Sequence, residues 1–412
     1  MSGDKIDILA RQAVFGNDQE KNQAYKKIWN LARQQGAVPA SINGFYLARG
    51  KGKLPLDFTV PAINIRGLTY DFAQVIFKLA KAKKVGAFIL EIARSEIKYT
   101  DQSPQEYVAV VLAAAVKSGF AGPVFIQGDH FQLKPGKEGE LDKIKKLIKE
   151  SVGAGFYNID IDASTLVDYS QKRVDLQQKT NYFLTAQIAQ YTRSLQPKGV
   201  EISLGGEIGH IGGKNSTVGE LAAFMKGFQQ SYPKGLIGLS KISVQTGTHH
   251  GGVVLPDGTL AKVAVDFGTL KSLARAARKY GMAGTVQHGA STLPEDYFCQ
   301  FPLSAAVEVH LATEFQNIIF NHPAFPKTLL AKIYAWIDQN LATERKPGKT
   351  DTQFHYELRK KAWGAFKREC WDLPAGIKQP ILTQLAKKIS FLFKELNVEN
   401  TKEMVEKFVK IK

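Results

Sequence analysis

Five short stretches carry titratable residues whose types and placing could do chemistry. They are Asp129-His130 in FIQGDHFQL, Glu207 in LGGEIGHIGG, His249-His250 in GTHHGG, His288 in VQHGAS and His310 in VEVHLAT. Each falls where an apolar, β-branched run ends or gives way to a loop, which places it at the C-terminal end of a strand. The chain has eight histidines, so half or more of them would share one rim. A lone histidine is more often a hydrogen-bonded structural residue than a ligand. Several that converge with carboxylates are costly to desolvate unless something binds among them. A zinc ion is the simplest guest, because three protein ligands hold it and leave a position open for a substrate oxygen. Three imidazoles also suit cobalt, manganese or iron.

The elements that must position these residues recur from Phe58 onward as one unit: a short apolar run, a loop rich in Gly, Asp, Ser or Thr, then an amphipathic stretch. Eight runs fit, namely FTVPAINI, VGAFILEIA, AGPVFIQGDH, YNIDIDAS, VEISLGGEIG, LSKISVQTGT, AGTVQHGAS and AAVEVHLAT. Helices are expected between them over 71–83, 104–117, 138–151, 171–194, 218–230 and 266–280. Alternating βα units that number eight predict an α/β fold, a (β/α)8 TIM barrel. A doubly wound open sheet is the competitor, and the lack of GxGxxG after the first strand counts against it. The expected organisation is an N-terminal helical extension over 1–57, the barrel over 58–325 and a Lys-rich, Trp-bearing helical extension over 326–412 that packs on the barrel or mediates a homo-oligomer.

Composition narrows the class further. Cys299 and Cys370 match no zinc spacing, which suits a reducing, cytoplasmic setting. No apolar run is long enough to suggest a membrane span, and the N-terminus lacks a signal-peptide pattern. The net charge of +17 implies attraction to polyanions or phosphorylated substrates, or simply a solvated basic surface. Without an aromatic-interleaved RNA-binding or zinc-finger pattern, nucleic acid is not the expected partner.

Taken together and in order, QGDHFQ, GGEIGHIGG, GTHHGG, QHGAST and VHLATEFQ resemble the signature blocks of class II, metal-dependent fructose-bisphosphate and tagatose-bisphosphate aldolases. FTVPAINIRG and GAGFYNIDIDAS resemble that family's first and fourth strands. The resemblance runs from about Phe58 to Gln316. It implies that His130, His250 and His288 bind a catalytic zinc or other divalent ion, with Glu207 as an alternate or neighbouring ligand, and it leaves room for a monovalent cation. It also implies that Asp129 handles the proton of the aldehyde oxygen, and that Gly251, Gly289, Ser291 and Thr292 lie in loops that cradle a substrate phosphate. The implied reaction is reversible aldol cleavage of a phosphorylated ketose, such as fructose or tagatose 1,6-bisphosphate, to dihydroxyacetone phosphate and an aldehyde.

The residues support that chemistry on their own terms. Aldol cleavage needs an electron sink and a proton shuttle, which a Lewis-acidic ion and Asp129 would supply. A Schiff-base lysine is the alternative sink, but Lys241 stands at the start of its strand, the wrong rim. Arg94, just past the second strand, is a candidate for a second phosphate or a surface arginine. Three departures from the family pattern concern the groups that read the substrate. Lys214-Asn215 follows Gly212-Gly213 where the family carries acids, His310 replaces an Asn that contacts substrate, and Gly205 replaces a frequent glutamate. His310 is therefore a candidate proton carrier, and the alternative is a catalytically altered or inactive homologue that binds a sugar phosphate or a protein.

Overall fold

The computed structural model describes residues 3–209, 213–248, 254–256, 259 and 264–411. A short strand, β1 (Ala37–Ala40), precedes eight more: β2 (Val60–Asn64), β3 (Ile89–Ala93), β4 (Gly122–Gln132), β5 (Asn158–Asp162), β6 (Ser203–Glu207), β7 (Lys241–Val244), β8 (Thr285–Gln287) and β9 (Glu308–Leu311). From β2 to β9 each strand pairs parallel with the next, and β9 returns to β2, so the eight expected runs close a (β/α)8 barrel.

Period-two alternation divides each strand between two environments. In β5, Ile159 and Ile161 join the apolar layer under the helices, while Asn158, Asp160 and Asp162 share the opposite face. The barrel interior departs from the branched aliphatic filling common in this fold. Glu91, Gln127, Asp160, Lys241 and Glu308 fill it, all buried. The helices close the outer layer with local caps. Ser103 caps Pro104–Lys117, and Thr217 with Glu220 forms a capping box on Val218–Ser231. The helix expected over 171–194 begins later, as Val174–Gln177 and Lys179–Leu195. Asp168 accepts from Ser170 N and Oγ and from Gln171 Nε2, and this side-chain-closed turn competes with a helical start.

The strand β1 lies within the segment expected to be helical. It pairs parallel with the first residues of β4, Ala37 with Gly122 through Ala40 with Phe125, beneath the point where β3 and β5 join that strand. Four residues with Pro39 inside give almost no strand signal, and a proline is tolerated there because β4 is the only strand partner of β1 among the described residues.

The C-terminal segment reaches both ends of the barrel. Below, Thr59 N donates to Leu396 O (2.9 Å), and Gly86 N and Ala87 N donate to Thr401 Oγ1 (both 3.1 Å). Above, Trp336, Leu341, Lys360 and Gly364 line a cavity at the C-terminal ends of the strands. Buried apolar side chains from Ile6 to Val409 belong to one continuous cluster.

Candidate metal and catalytic centre

The strand β4 is where the site is built. Its pairing with β5 shifts register between Gly128 and Phe131, a bulge that inserts extra chain at the barrel mouth. His130 sits in that bulge with φ of +41°, a left-handed conformation costly for a residue with a Cβ. The distortion turns its ring inward, where Nδ1 lies 3.2 Å from Asp162 Oδ2 and 3.3 Å from Glu207 Oε2. Asp162 is itself fixed, accepting from Gln132 Nε2 (2.6 Å), Ser164 N (3.0 Å) and Ser164 Oγ (2.7 Å). A carboxylate that holds Nδ1 in this way orients the ring, and Nε2 lies 3.9 Å from Asp129 Oδ1.

His288 follows β8, where Thr248 Oγ1 and Gln287 Nε2 both donate to its carbonyl at 2.8 Å. Its ring lies between those of His130 and His310, with centroids 4.1 and 4.0 Å away. Asp129 Oδ1 is 3.3 Å from His288 Nε2 and 3.2 Å from His310 Nδ1. His310, on β9, is also held by Glu91 Oε2 (3.1 Å) and Glu308 Oε1 (2.6 Å). Ligand atoms of His130, Glu207 and His288 all lie within 4.8 Å of one another, as do those of Asp129, His288 and His310.

The electrostatics match this crowding. Burial pushes Glu207 and Glu91 up to about 7 and Asp160 up to about 6, helped in each case by neighbouring carboxylates. Burial also opposes ionised Asp129, but His130, His310 and His288 outweigh it and hold the carboxyl well below its usual range. His130 and His310 are raised well above an ordinary imidazole, because the carboxylates around them overcome the cost of burial. His288 is lowered by burial and by repulsion from the two other rings. Six carboxylates gather here: Asp160 and Glu308 meet the ammonium of Lys241, while Glu91, Asp129, Asp162 and Glu207 are met by the imidazoles of His130, His288 and His310. A hard or borderline divalent cation fits such a donor set of imidazole and carboxylate. Among the described residues three groups bring their ligand atoms within 4.8 Å of one another: His130, Glu207 and His288; Asp129, His288 and His310; and Asp160, Glu308 and His310.

The sequence-derived candidates divide as follows. Asp129, His130, Glu207, His288 and His310 converge, and Gly289 and Ser291 line the same cavity of 1390 Å³. Ser291 Oγ accepts from Thr313 N at 3.1 Å, which ties the loop after β8 to the next helix. Thr292 is half-buried and does not line that cavity. Arg94 does line it, but its guanidinium is engaged by Glu140 (2.8 Å) and by the carbonyl of Gln132. His250 and Gly251 lie outside the described residues. Lys241 starts β7 as expected, yet its ammonium is enclosed in the barrel, 2.5 Å from Glu308, 2.6 Å from Gln127 and 3.0 Å from Asp160. Sequence reasoning missed this interior network, together with Glu91 and Tyr46, whose hydroxyl is 2.5 Å from Glu308 Oε2. The signal was a polar residue at every second position of otherwise apolar strands: Gln127 and Asp129, Asp160 and Asp162, Glu308 and His310.

A parallel barrel whose strand ends gather imidazoles and carboxylates offers a donor set for a divalent ion at the face where this fold carries its active sites, and the comparisons with known proteins name the family. The model of the family "Fructose-bisphosphate aldolase class-II" matches residues 56–361. The chain belongs to that family. No curated protein matches it. Among solved structures, a fructose-bisphosphate aldolase from Campylobacter jejuni is similar with a TM-score of 0.53 at 16% identity, covering 89% of this chain and 96% of the other. A putative fructose-1,6-biphosphate aldolase from Coccidioides immitis gives 0.51 at 16% identity, covering 87% and 97%. A fructuronate-tagaturonate epimerase, UxaE from Cohnella laeviribosi, gives 0.61 at 11% identity, covering 92% and 86%. At these identities the likenesses establish the fold alone.

Proposed function

We propose that the protein is a zinc-dependent aldolase that reversibly cleaves a phosphorylated ketose, such as fructose or tagatose 1,6-bisphosphate, to dihydroxyacetone phosphate and an aldehyde. The observation that carries this reading is the meeting of His130, Glu207 and His288 within 4.8 Å, with Asp129 3.3 Å from His288. His250, from the GTHHGG motif, completes the proposed ligand set. A bound divalent ion would supply Lewis-acid stabilisation of negative charge on the ketose carbonyl. Asp129 takes the proton from the hydroxyl on the carbon that becomes the aldehyde. The adjacent carbon–carbon bond breaks, and its electron pair stays with the carbonyl fragment as an enediolate, which a proton then converts to the ketone. His310, poised 3.2 Å from Asp129, holds that carboxylate ionised and in place. Gly289 and Ser291 offer the loop after β8 to a phosphate, a common anion site in this fold. The free thiols of Cys299 and Cys370 suit a cytoplasmic enzyme, and assembly as a homo-oligomer belongs to the same reading.

The test is a coupled assay of triose-phosphate release from each bisphosphate, with chelator and then zinc added back. Chelator-sensitive cleavage that zinc restores is expected, and Asp129→Asn should retain the metal while losing about 10²- to 10⁴-fold in rate. Stoichiometric metal with no cleavage of either sugar would reject the reaction and leave the binding site.

A further inference from the structure

We propose that Trp336, with Leu147 and Leu341, determines specificity for the aldehyde half of the substrate, and that this half carries an apolar or ring-bearing tail. Which half meets the indole rests on the aldolase reading above; the apolar subsite itself does not.

Trp336 lies on the helix Lys327–Asn340, which is seated by its buried Ile333 and Ile337. Leu341 ends that helix, its N–H donating to Ile337 O at 2.8 Å. Phe366 meets the indole edge-on, with centroids 6.3 Å apart and planes at 87°. The segment as a whole is anchored above the barrel by a close approach: a Cβ on Gly67 would overlap the ring of Trp363, which also stacks on Phe320 with centroids 4.5 Å apart. Trp336 is therefore fixed in place, yet it is half-buried and lines the cavity that holds the metal and catalytic candidates. It is the one of the chain's four tryptophans that does so.

The cavity measures 1390 Å³, whereas pockets for drug-sized ligands measure about 300–1,000 Å³. It has room for more than a hexose bisphosphate. In the proposed reaction Gly289 and Ser291 take the phosphate end and Asp129 marks the carbon that becomes the aldehyde, so the space beyond Asp129 receives the aldehyde half. Leu147 of the helix Glu140–Ala154, Trp336 and Leu341 give that space its large aliphatic and indole surface, and all three are half-buried. Apolar surface facing water in a cavity gains free energy when an apolar group covers it, and an indole face accepts a ring or a row of C–H groups. A short, fully hydroxylated or charged fragment gains little from such a wall. The wall therefore discriminates between aldehydes by their tails.

The experiment runs the reaction towards bond formation, on the full chain with zinc bound, with dihydroxyacetone phosphate as donor and propanal, 3-phenylpropanal or glyceraldehyde 3-phosphate as acceptor. The donor's hydroxymethyl carbon loses a proton and bonds to the aldehyde carbon, and the aldehyde oxygen takes up a proton to become the new hydroxyl. KM for 3-phenylpropanal is expected to lie about tenfold below that for propanal. Trp336→Ala should erase most of that difference by raising KM for 3-phenylpropanal, and Trp336→Phe should keep most of it. Leu341→Gln should narrow the difference in the same direction, and it serves where W336A does not fold. Equal KM for the two aldehydes, equal loss of both in W336A, or reaction with glyceraldehyde 3-phosphate alone overturns the proposal. A second readout needs no turnover: 3-phenylpropan-1-ol, which has no carbonyl to react, should shift tryptophan emission to shorter wavelength in the wild type and not in W336F. If that shift depends on Trp336 and neither bisphosphate is cleaved nor any acceptor used, the apolar subsite stands and the aldolase reading falls. If triose phosphate is released from a bisphosphate while the two aldehydes behave alike, the aldolase reading stands and the subsite falls.

Discussion

Lys241 Nζ lies 2.5 Å from Glu308 Oε1, and both side chains are wholly enclosed by the barrel. The same oxygen of Glu308 accepts from Gln127 (2.9 Å) and meets His310 Nε2 (2.6 Å). Through this oxygen the ammonium at the start of β7 is coupled to the imidazole at the mouth. Lys241 holds Glu308 well below an ordinary carboxylic acid against the cost of its burial, and ionised Glu308 in turn fixes the ring that faces Asp129. The interior is therefore a polar column beneath the site, which joins packing of the fold to the position of a candidate catalytic group.

Removing one partner of such a pair strands a charge in low dielectric. Lys241→Met is expected to destabilise the protein by about 3–5 kcal/mol, and the double variant with Glu308→Gln by less, because no uncompensated carboxylate remains at 308. Urea unfolding of the two single variants and the double variant measures this. Equal and additive losses would show that the pair is not coupled.

Asp162 touches His130 through Nδ1 and accepts three further hydrogen bonds. Its role is therefore one of orientation. Asp162→Asn should lower metal affinity about 10- to 100-fold without changing the number of ions bound at saturation. Competition with a chromophoric chelator reads the affinity, and elemental analysis reads the stoichiometry.

Much of this was legible in the sequence, and the reason is local. The apolar runs and their loops announced eight strands, because each strand is short and buried on both sides. The histidines at the strand ends announced the site, because a barrel gathers residues far apart in sequence at one rim. Tertiary pairing decided the rest. AVPA becomes a strand only because β4 offers an unpaired lower edge. The inward direction of Lys241 depends on a pleat phase that its position at the start of β7 does not reveal, and Lys360 reaches the cavity only through the docking of Trp363 on Gly67.

Glu106 gives a stability signal away from the centre. It is buried, with Lys367 Nζ at 2.7 Å, and burial outweighs that lysine to push it from 4.5 up to about 7. The folded chain thus holds this proton more tightly than the unfolded one. The contribution favours folding below pH 4.5, is lost as pH rises towards 7, and is flat above. Glu106→Gln should remove this part of the slope. Urea midpoints at pH 5 and 7 will then differ less in the variant than in the wild type; an unchanged difference would show that Glu106 keeps an ordinary pKa.

The last prediction concerns the bulge that aims His130. A Cβ on Gly128 would fall 2.5–2.6 Å from Phe131 ring atoms, and Phe131 is fully buried opposite Ile161. Gly128→Ala therefore forces the ring or the bulge to move, and the bulge is the softer element because it lacks regular ladder pairing. Metal affinity should fall by about tenfold or more, although residue 128 touches no ligand. Phe131→Leu in the G128A background clears the ring atoms that clash and should return most of the affinity, while Phe131→Leu alone should cost stability and little metal binding. Non-additivity in that cycle, measured by chelator competition, would locate the geometry of His130 in the Gly128–Phe131 contact. Additive losses would mean that the left-handed backbone at His130 is set elsewhere.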